Sequence, residues 1–186
     1  MDVVRKNFNW ISVALALSVI SSFGNVVLPS VEAQAAKGIR VRVVDKAGYD
    51  KVIAANKGKV VIVDCWATWC VPCRKAFPKT VELNKAYADK GLVVISLSFD
   101  DLAKGQAPPG VVKFLTESNA TFENLISSLD IAGEGSDAFS IPDGALPHFK
   151  IYGRDGKLLK VFESGEGKEI SHEEIESTIK AAISAK

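Results

Sequence analysis

From Gly38 onward the chain alternates between short unbroken apolar runs and segments whose apolar residues recur every three or four positions. Runs of the first kind predict strands and segments of the second kind predict helices. Ile39 to Val44 predicts a first strand, and Tyr49 to Asn56 a short helix ended by Lys57-Gly58. Val60-Val-Ile-Val-Asp-Cys-Trp66 is apolar almost throughout, the pattern of a strand covered on both faces. From Val71 to about Lys90 the spacing of Ala76, Phe77, Val81, Leu83, Ala86 and Tyr87 is helical, with Gly91 placed to cap it and Pro78 placed to kink it. Leu92 to Phe99 is a second buried strand, so strand, helix and strand make a crossover unit, which requires parallel pairing.

The pattern then loses definition. Asp100 to Gly110 is rich in Gly and Pro, Val111 to about Ser118 predicts a helix, and residues 119–146 hold few clear elements. Periodicity returns in His148-Phe-Lys-Ile-Tyr152 and Lys157-Leu-Leu-Lys-Val-Phe162, two strands joined by the turn Gly153-Arg-Asp-Gly156. Ser171 followed by Glu174 is a capping box, and Ile175, Ile179 and Ala182 or Ile183 give the buried stripe of a last helix. The predicted class is α/β: a central mixed sheet flanked by helices, with an insertion over 100–146 between the crossover unit and the hairpin.

Residues 1–35 change the picture of where this domain works. Arg5 and Lys6 precede a run with no charge until Glu32, and Gly24-Asn25, Pro29 and Ala33-Gln34-Ala35 follow it. Basic start, apolar middle and small-residue end predict a secretory signal cleaved after Ala35, leaving 36–186 as one extracytoplasmic domain, periplasmic or secreted. Kept uncleaved, Trp10 to Leu28 is just long enough to tether it to a membrane. Charge adds little. The 23 Lys and Arg nearly cancel the 22 Asp and Glu, and no basic run interleaves with aromatics, so nucleic acid is excluded as a partner.

The candidate chemistry lies in Cys70-Val71-Pro72-Cys73, where a buried strand hands over to a helix. That spacing puts both thiols in the first helical turn and favours a bond between them. The orphan N–H groups at the helix start stabilise a thiolate at Cys70, drawing its pKa from about 8.5 toward the roughly 3.5–7.5 range of reactive cysteines. Arg74 and Lys75 add positive charge, and Pro72 loses no hydrogen bond in a first turn. Zinc would need two further ligands, for which only Cys65, His148, His172 and carboxylates remain, without a second Cys-x-x-Cys or a His-x₃₋₅-His. No metal and no other cofactor is expected. Burial in its strand should raise the pKa of Asp64. Cys65 reads as an inert apolar residue, Trp66 as core, and His148 and His172 as structural or solvent-facing.

The segment Val63-Asp64-Cys65-Trp66-Ala67-Thr68-Trp69-Cys70-Val71-Pro72-Cys73-Arg74-Lys75-Ala76-Phe77-Pro78 closely resembles the active-site segment of thioredoxins. With the leader, the long stretch before the hairpin and Pro147 ahead of Gly153-Arg-Asp-Gly156, the chain resembles the TlpA/ResA group of exported thioredoxin-like reductases. The resemblance implies the thioredoxin fold, with Cys70 as attacking thiol, Cys73 as resolving thiol and Asp64 as acceptor of the Cys73 proton. It implies a cis-proline at Pro147, which presents the backbone of Leu146 to an extended substrate, with Trp69 and Pro72 beside the nucleophile. Protein disulfides would be the substrates, a membrane protein the electron donor, and the enzyme a monomer. One departure stands out: Ala76 occupies a position where some ResA-type reductases carry a glutamate. The competing functions are a disulfide oxidase or isomerase of the same fold, and a client-binding module without turnover. A peroxiredoxin-type peroxidase is disfavoured, since the Pro-x₃-Thr/Ser-x₂-Cys setting is absent around Cys70.

Overall fold

The computed structural model describes residues 38–165 and 169–185. The signal sequence expected over 1–35 lies outside the described residues. Among the described residues no helix is long and apolar enough to cross a membrane.

Among the described residues, six strands form one mixed sheet. Strand β2 (Val60–Trp66) is buried at every residue, as its unbroken apolar run requires. It pairs in parallel with β3 (Leu92–Ser98) on one side and antiparallel with β5 (His148–Tyr152) on the other. Strand β6 (Leu158–Glu163) extends the hairpin outward, while β4 (Glu123–Ser127) and β1 (Val41–Val44) complete the parallel half, giving the order β1-β4-β3-β2-β5-β6.

Alternation along β2 divides the core. Val61, Val63 and Cys65 face one side, where Tyr49, Val52 and Ile53 of α1 (Lys46–Ala55) cover them together with Phe139 of the insertion. Val60 and Ile62 face the other, under Leu83 and Tyr87 of α2 (Val71–Tyr87) and Ile175 and Ile179 of α5 (His172–Ser184). Helix α3 (Pro109–Glu117) lies near the start of α2, where Val111 and Leu115 meet Trp66 and Phe77. Each fully buried aliphatic side chain contributes about 1.5–3 kcal/mol, so the doubly covered β2 is the centre of the fold's stability.

Three sequence expectations need correction. The first helix begins at Lys46, not Tyr49, because the Asp45 carboxylate caps it by accepting from the Gly48 N–H at 2.7 Å. The second ends at Tyr87, and Ala88–Lys90 tightens into a 3₁₀ turn before Gly91, whose φ of +96° closes it. Pro78, expected to kink α2, lies inside the helix and does not end it. Residues 119–146, where few clear elements are expected, contain β4, the short helix α4 (Glu134–Ala138) and a 3₁₀ turn at Pro142–Gly144.

Strand β4 was illegible because its buried residues include polar ones. Asn124 donates to the carbonyls of Ala120 and Phe122 at 2.8 and 2.9 Å and accepts from Ser96 Oγ at 2.8 Å, so its amide is satisfied inside the protein. Asn124 stands beside Ser96, and Ser96 beside Asp64, forming a buried polar row across β4, β3 and β2. Lys150 is likewise buried in β5. Its Nζ donates to the Phe139 carbonyl, fastening the insertion to the sheet.

Candidate active site

The active-site segment begins where β2 ends. Ala67-Thr68-Trp69 turns the chain, the Cys70 N–H donating to the Ala67 carbonyl at 3.1 Å, and Cys70 becomes the N-cap of α2. A disulfide joins Cys70 to Cys73 across Cα atoms 5.3 Å apart. The Cys73 N–H points at Cys70 Sγ from 3.3 Å. After reduction that donor and the helix dipole would both stabilise negative charge on Cys70 and not on Cys73, since only the first sulfur lies at the helix end. Cys70 is 5% exposed and Cys73 2%, while Trp69 and Val71 beside them stand out at 58% and 48%. The pair thus lies at the edge of an apolar surface.

Asp64 sits on the face of β2 that α2 covers. Its Oδ2 accepts from Thr80 Oγ1 at 2.6 Å, and the residue is only 2% exposed. Burial pushes its carboxyl from 3.8 up to about 7, and the Thr80 bond opposes that rise. A carboxyl that titrates near neutrality can exchange a proton with a thiol in either direction.

Leu146 is half-buried and reaches the apolar cluster that contains Cys70 and Cys73. The Leu146–Pro147 peptide bond is cis, and the Pro147 carbonyl accepts from Ser164 Oγ at 3.3 Å. Pro72 lies exposed in the first turn of α2. Cys70 and Cys73, with Trp69 and Pro72 beside them in the chain, stand at the start of α2, and Leu146, which precedes Pro147, reaches the same apolar cluster. Asp64 lies behind them, beneath α2.

The residues judged inert are set apart. Cys65 is a free, buried thiol on the opposite face of β2, and burial pushes it up to about 12. His148, its cross-strand neighbour, is fully buried, not solvent-facing, and neither ring nitrogen meets a partner among the described residues. Burial first, then Lys150, pushes its imidazole down to about 4, so it stays neutral. His172 lies edge-on to Phe149 with ring centres 6.0 Å apart. Among the described residues no three His, Cys, Asp or Glu side chains gather as a metal site.

Sequence reading missed Asp100. Its buried carboxylate accepts from the Thr68 N–H at 2.9 Å, from Ser98 Oγ at 2.8 Å and from the Thr68 hydroxyl. Asp100 thereby pins the loop that carries Cys70 to the end of β3. The available signal was an acidic residue directly after a buried parallel strand, where α/β folds place their sites. Asp100→Ala is expected to cost about 1–3 kcal/mol, the penalty for leaving buried donors unpaired. Urea unfolding measures it, and an unchanged midpoint would show that the clamp contributes nothing.

The chain is similar to known proteins. The Redoxin family model matches residues 29–179. The thioredoxin-like protein YneN of Bacillus subtilis is 40% identical over 75 residues, covering 40% of this chain and 42% of that protein. The thiol-disulfide oxidoreductase ResA of Bacillus thuringiensis subsp. konkukian is 30% identical over 113 residues, covering 61% of this chain and 60% of ResA. The matched stretch thus spans less than two thirds of either relative. Among solved structures, a putative thiol:disulfide interchange protein DsbE from Chlorobium tepidum superposes with a TM-score of 0.56 at 26% identity, over 70% of this chain and 84% of that one.

Proposed function

The chain belongs to the Redoxin family, and on that footing we propose that it is a thiol-disulfide oxidoreductase that reduces protein disulfides through Cys70 and Cys73. The observation that carries this reading is the Cys70–Cys73 disulfide at the start of α2, with a backbone donor already aimed at Cys70 Sγ.

The reaction balances without a bound cofactor. The Cys70 thiolate attacks one sulfur of the substrate disulfide, the substrate S–S bond breaks, a mixed disulfide forms, and the first substrate sulfur leaves as a thiolate. Asp64 takes the Cys73 proton. The Cys73 thiolate then attacks Cys70 Sγ, displacing the second substrate sulfur and restoring the Cys70–Cys73 disulfide. The substrate gains two electrons and two protons, and the protein loses them. Trp69, Pro72 and the Leu146 backbone before Pro147 form the surface on which an extended substrate segment lies.

Direction follows from charge. Val71 and Pro72 place no cation between the sulfurs, and an ionised Asp64 opposes a thiolate nearby, so the dithiol is not stabilised enough to make a strong oxidant. The domain works outside the cytoplasm as a monomer, after removal of residues 1–35 or tethered by them. In an oxidising compartment its dithiol is regenerated by a membrane electron donor. Equilibration of Cys70–Cys73 against glutathione or dithiothreitol is expected to give a potential below about −200 mV. A value near the roughly −120 mV of strong oxidants would make the protein an oxidase or isomerase.

A further inference from the structure

Among the described residues, no charged group attends the Asp64 carboxyl, the proton acceptor proposed above. Asp64 is flanked in the sheet by Ser96 of β3 and Phe149 of β5. Ser96 faces the same side but gives its proton to Asn124 Oδ1 at 2.8 Å. Helix α5 brings Ile175 and Ile179 to this face, and His172 at its start lies against Phe149. On α2, Cys73 is tied up in the disulfide, while Lys79 is exposed and paired with Glu82 at 3.0 Å. On β2 itself, Cys65 points to the opposite face. Among the described residues, the hydrogen bond that Asp64 receives comes from Thr80, at 2.6 Å, with both residues at most 2% exposed.

We propose that Thr80 is a positioning residue for the exchange reaction: its hydroxyl binds Asp64 Oδ2, fixes the carboxylate and leaves Oδ1 as the oxygen that accepts the proton. Thr80 is suited to this by register. It lies seven residues, about two turns, after Cys73 on the buried face of α2, so one helix carries both the resolving thiol and the group that holds its proton acceptor. A hydroxyl that donates to a carboxylate stabilises the charged form, so Thr80 works against burial and keeps Asp64 able to ionise near neutrality. Ala76, one turn before Thr80, offers no carboxyl of its own, which leaves Asp64 and its holder to do this work.

The inference rests on the reductase reading only through the rate, and the carboxyl can be followed directly. In the oxidised protein, where neither Cys70 nor Cys73 titrates, the Asp64 carboxyl carbon is followed by NMR against pH. Thr80→Val, of nearly the same shape, is expected to raise the Asp64 midpoint by about 1–2 pH units, and Thr80→Ser to return it to the wild-type position. Thr80→Ala serves as a second variant without the hydroxyl and should match valine. In the reductase assay the acid limb of the pH–rate profile should move with the midpoint, and the movement should vanish in an Asp64→Asn background. An unmoved carboxyl midpoint in both Thr80→Val and Thr80→Ala would overturn the proposal. A moved midpoint with a rate profile indifferent to Asp64→Asn would also overturn it, because Thr80 would then hold a carboxylate that takes no part in the exchange.

Discussion

Cys70→Ser should lose disulfide reduction by about 10³-fold or more, whereas Cys73→Ser should complete the first half of one turnover and stop. The two sulfurs are three residues apart, yet only Cys70 caps α2, receives the Cys73 N–H and borders the exposed Trp69 and Val71. A hydroxyl at position 70 has a far higher pKa than a thiol and cannot enter sulfur exchange, so no mixed disulfide forms. A hydroxyl at position 73 leaves the attack intact and removes the resolving step. The substrate should then remain bound to Cys70 in a one-to-one adduct, visible by mass spectrometry under non-reducing conditions and released by dithiothreitol. Repeated turnover by Cys73→Ser with a protein disulfide would reverse the assignment of roles.

Asp64→Asn should slow reduction near neutral pH and, at the same time, make the protein more stable. The sign follows from linkage. The folded-state carboxyl titrates at about 7 against an ordinary 3.8, so between these values the folded protein binds a proton that the unfolded chain has released. Wild-type stability therefore falls as pH rises from about 4 to about 7 and is flat above, by roughly 4 kcal/mol at most. Asparagine does not titrate and escapes that loss. Urea unfolding at pH 8 should show Asp64→Asn more stable by roughly 2–4 kcal/mol, with the advantage gone near pH 4. Equal pH dependence in the two proteins would mean that Asp64 is charged in the folded state at no cost, which contradicts its burial. A residue retained against such a cost is better explained by chemistry than by packing.

What could be read from the chain alone was whatever is local. The run from Val60 to Trp66 announces a doubly buried strand because each residue is apolar or enclosed, and Cys70-x-x-Cys73 places two sulfurs on one turn without any knowledge of the rest of the fold. The hairpin of β5 and β6 is equally local, set by Gly156 and the strands beside it. Strand β4 escaped because Asn124 and Ser127 are buried with their polar groups satisfied, Asn124 by Ser96 of β3 and Ser127 by Leu129 just beyond the strand, and pattern alone counts them as exposed. Asp100 and Thr80 escaped for the same reason. Each is an ordinary polar residue until β3 or α2 carries it to Thr68 or Asp64, a contact spanning 32 residues in one case and 16 in the other. The start of helix α1 at Lys46 escaped because Gly48 in its first turn masks the helical pattern that the Asp45 cap begins.

The placement of Cys65 gives the molecule an internal clock for its own opening. Its thiol is walled off by the sheet from the exchanging pair and held protonated by burial at about 12, so it is silent while the core is closed. A small alkylating reagent can reach it only when β2 parts from its neighbours, and its rate of capture then reports how often the centre of the fold comes undone. The native oxidised protein should count as having no reactive thiol, and the denatured reduced protein as having all three. Oxidation state and structural integrity are thus written in separate sulfurs of one chain, and the same reagent reads both.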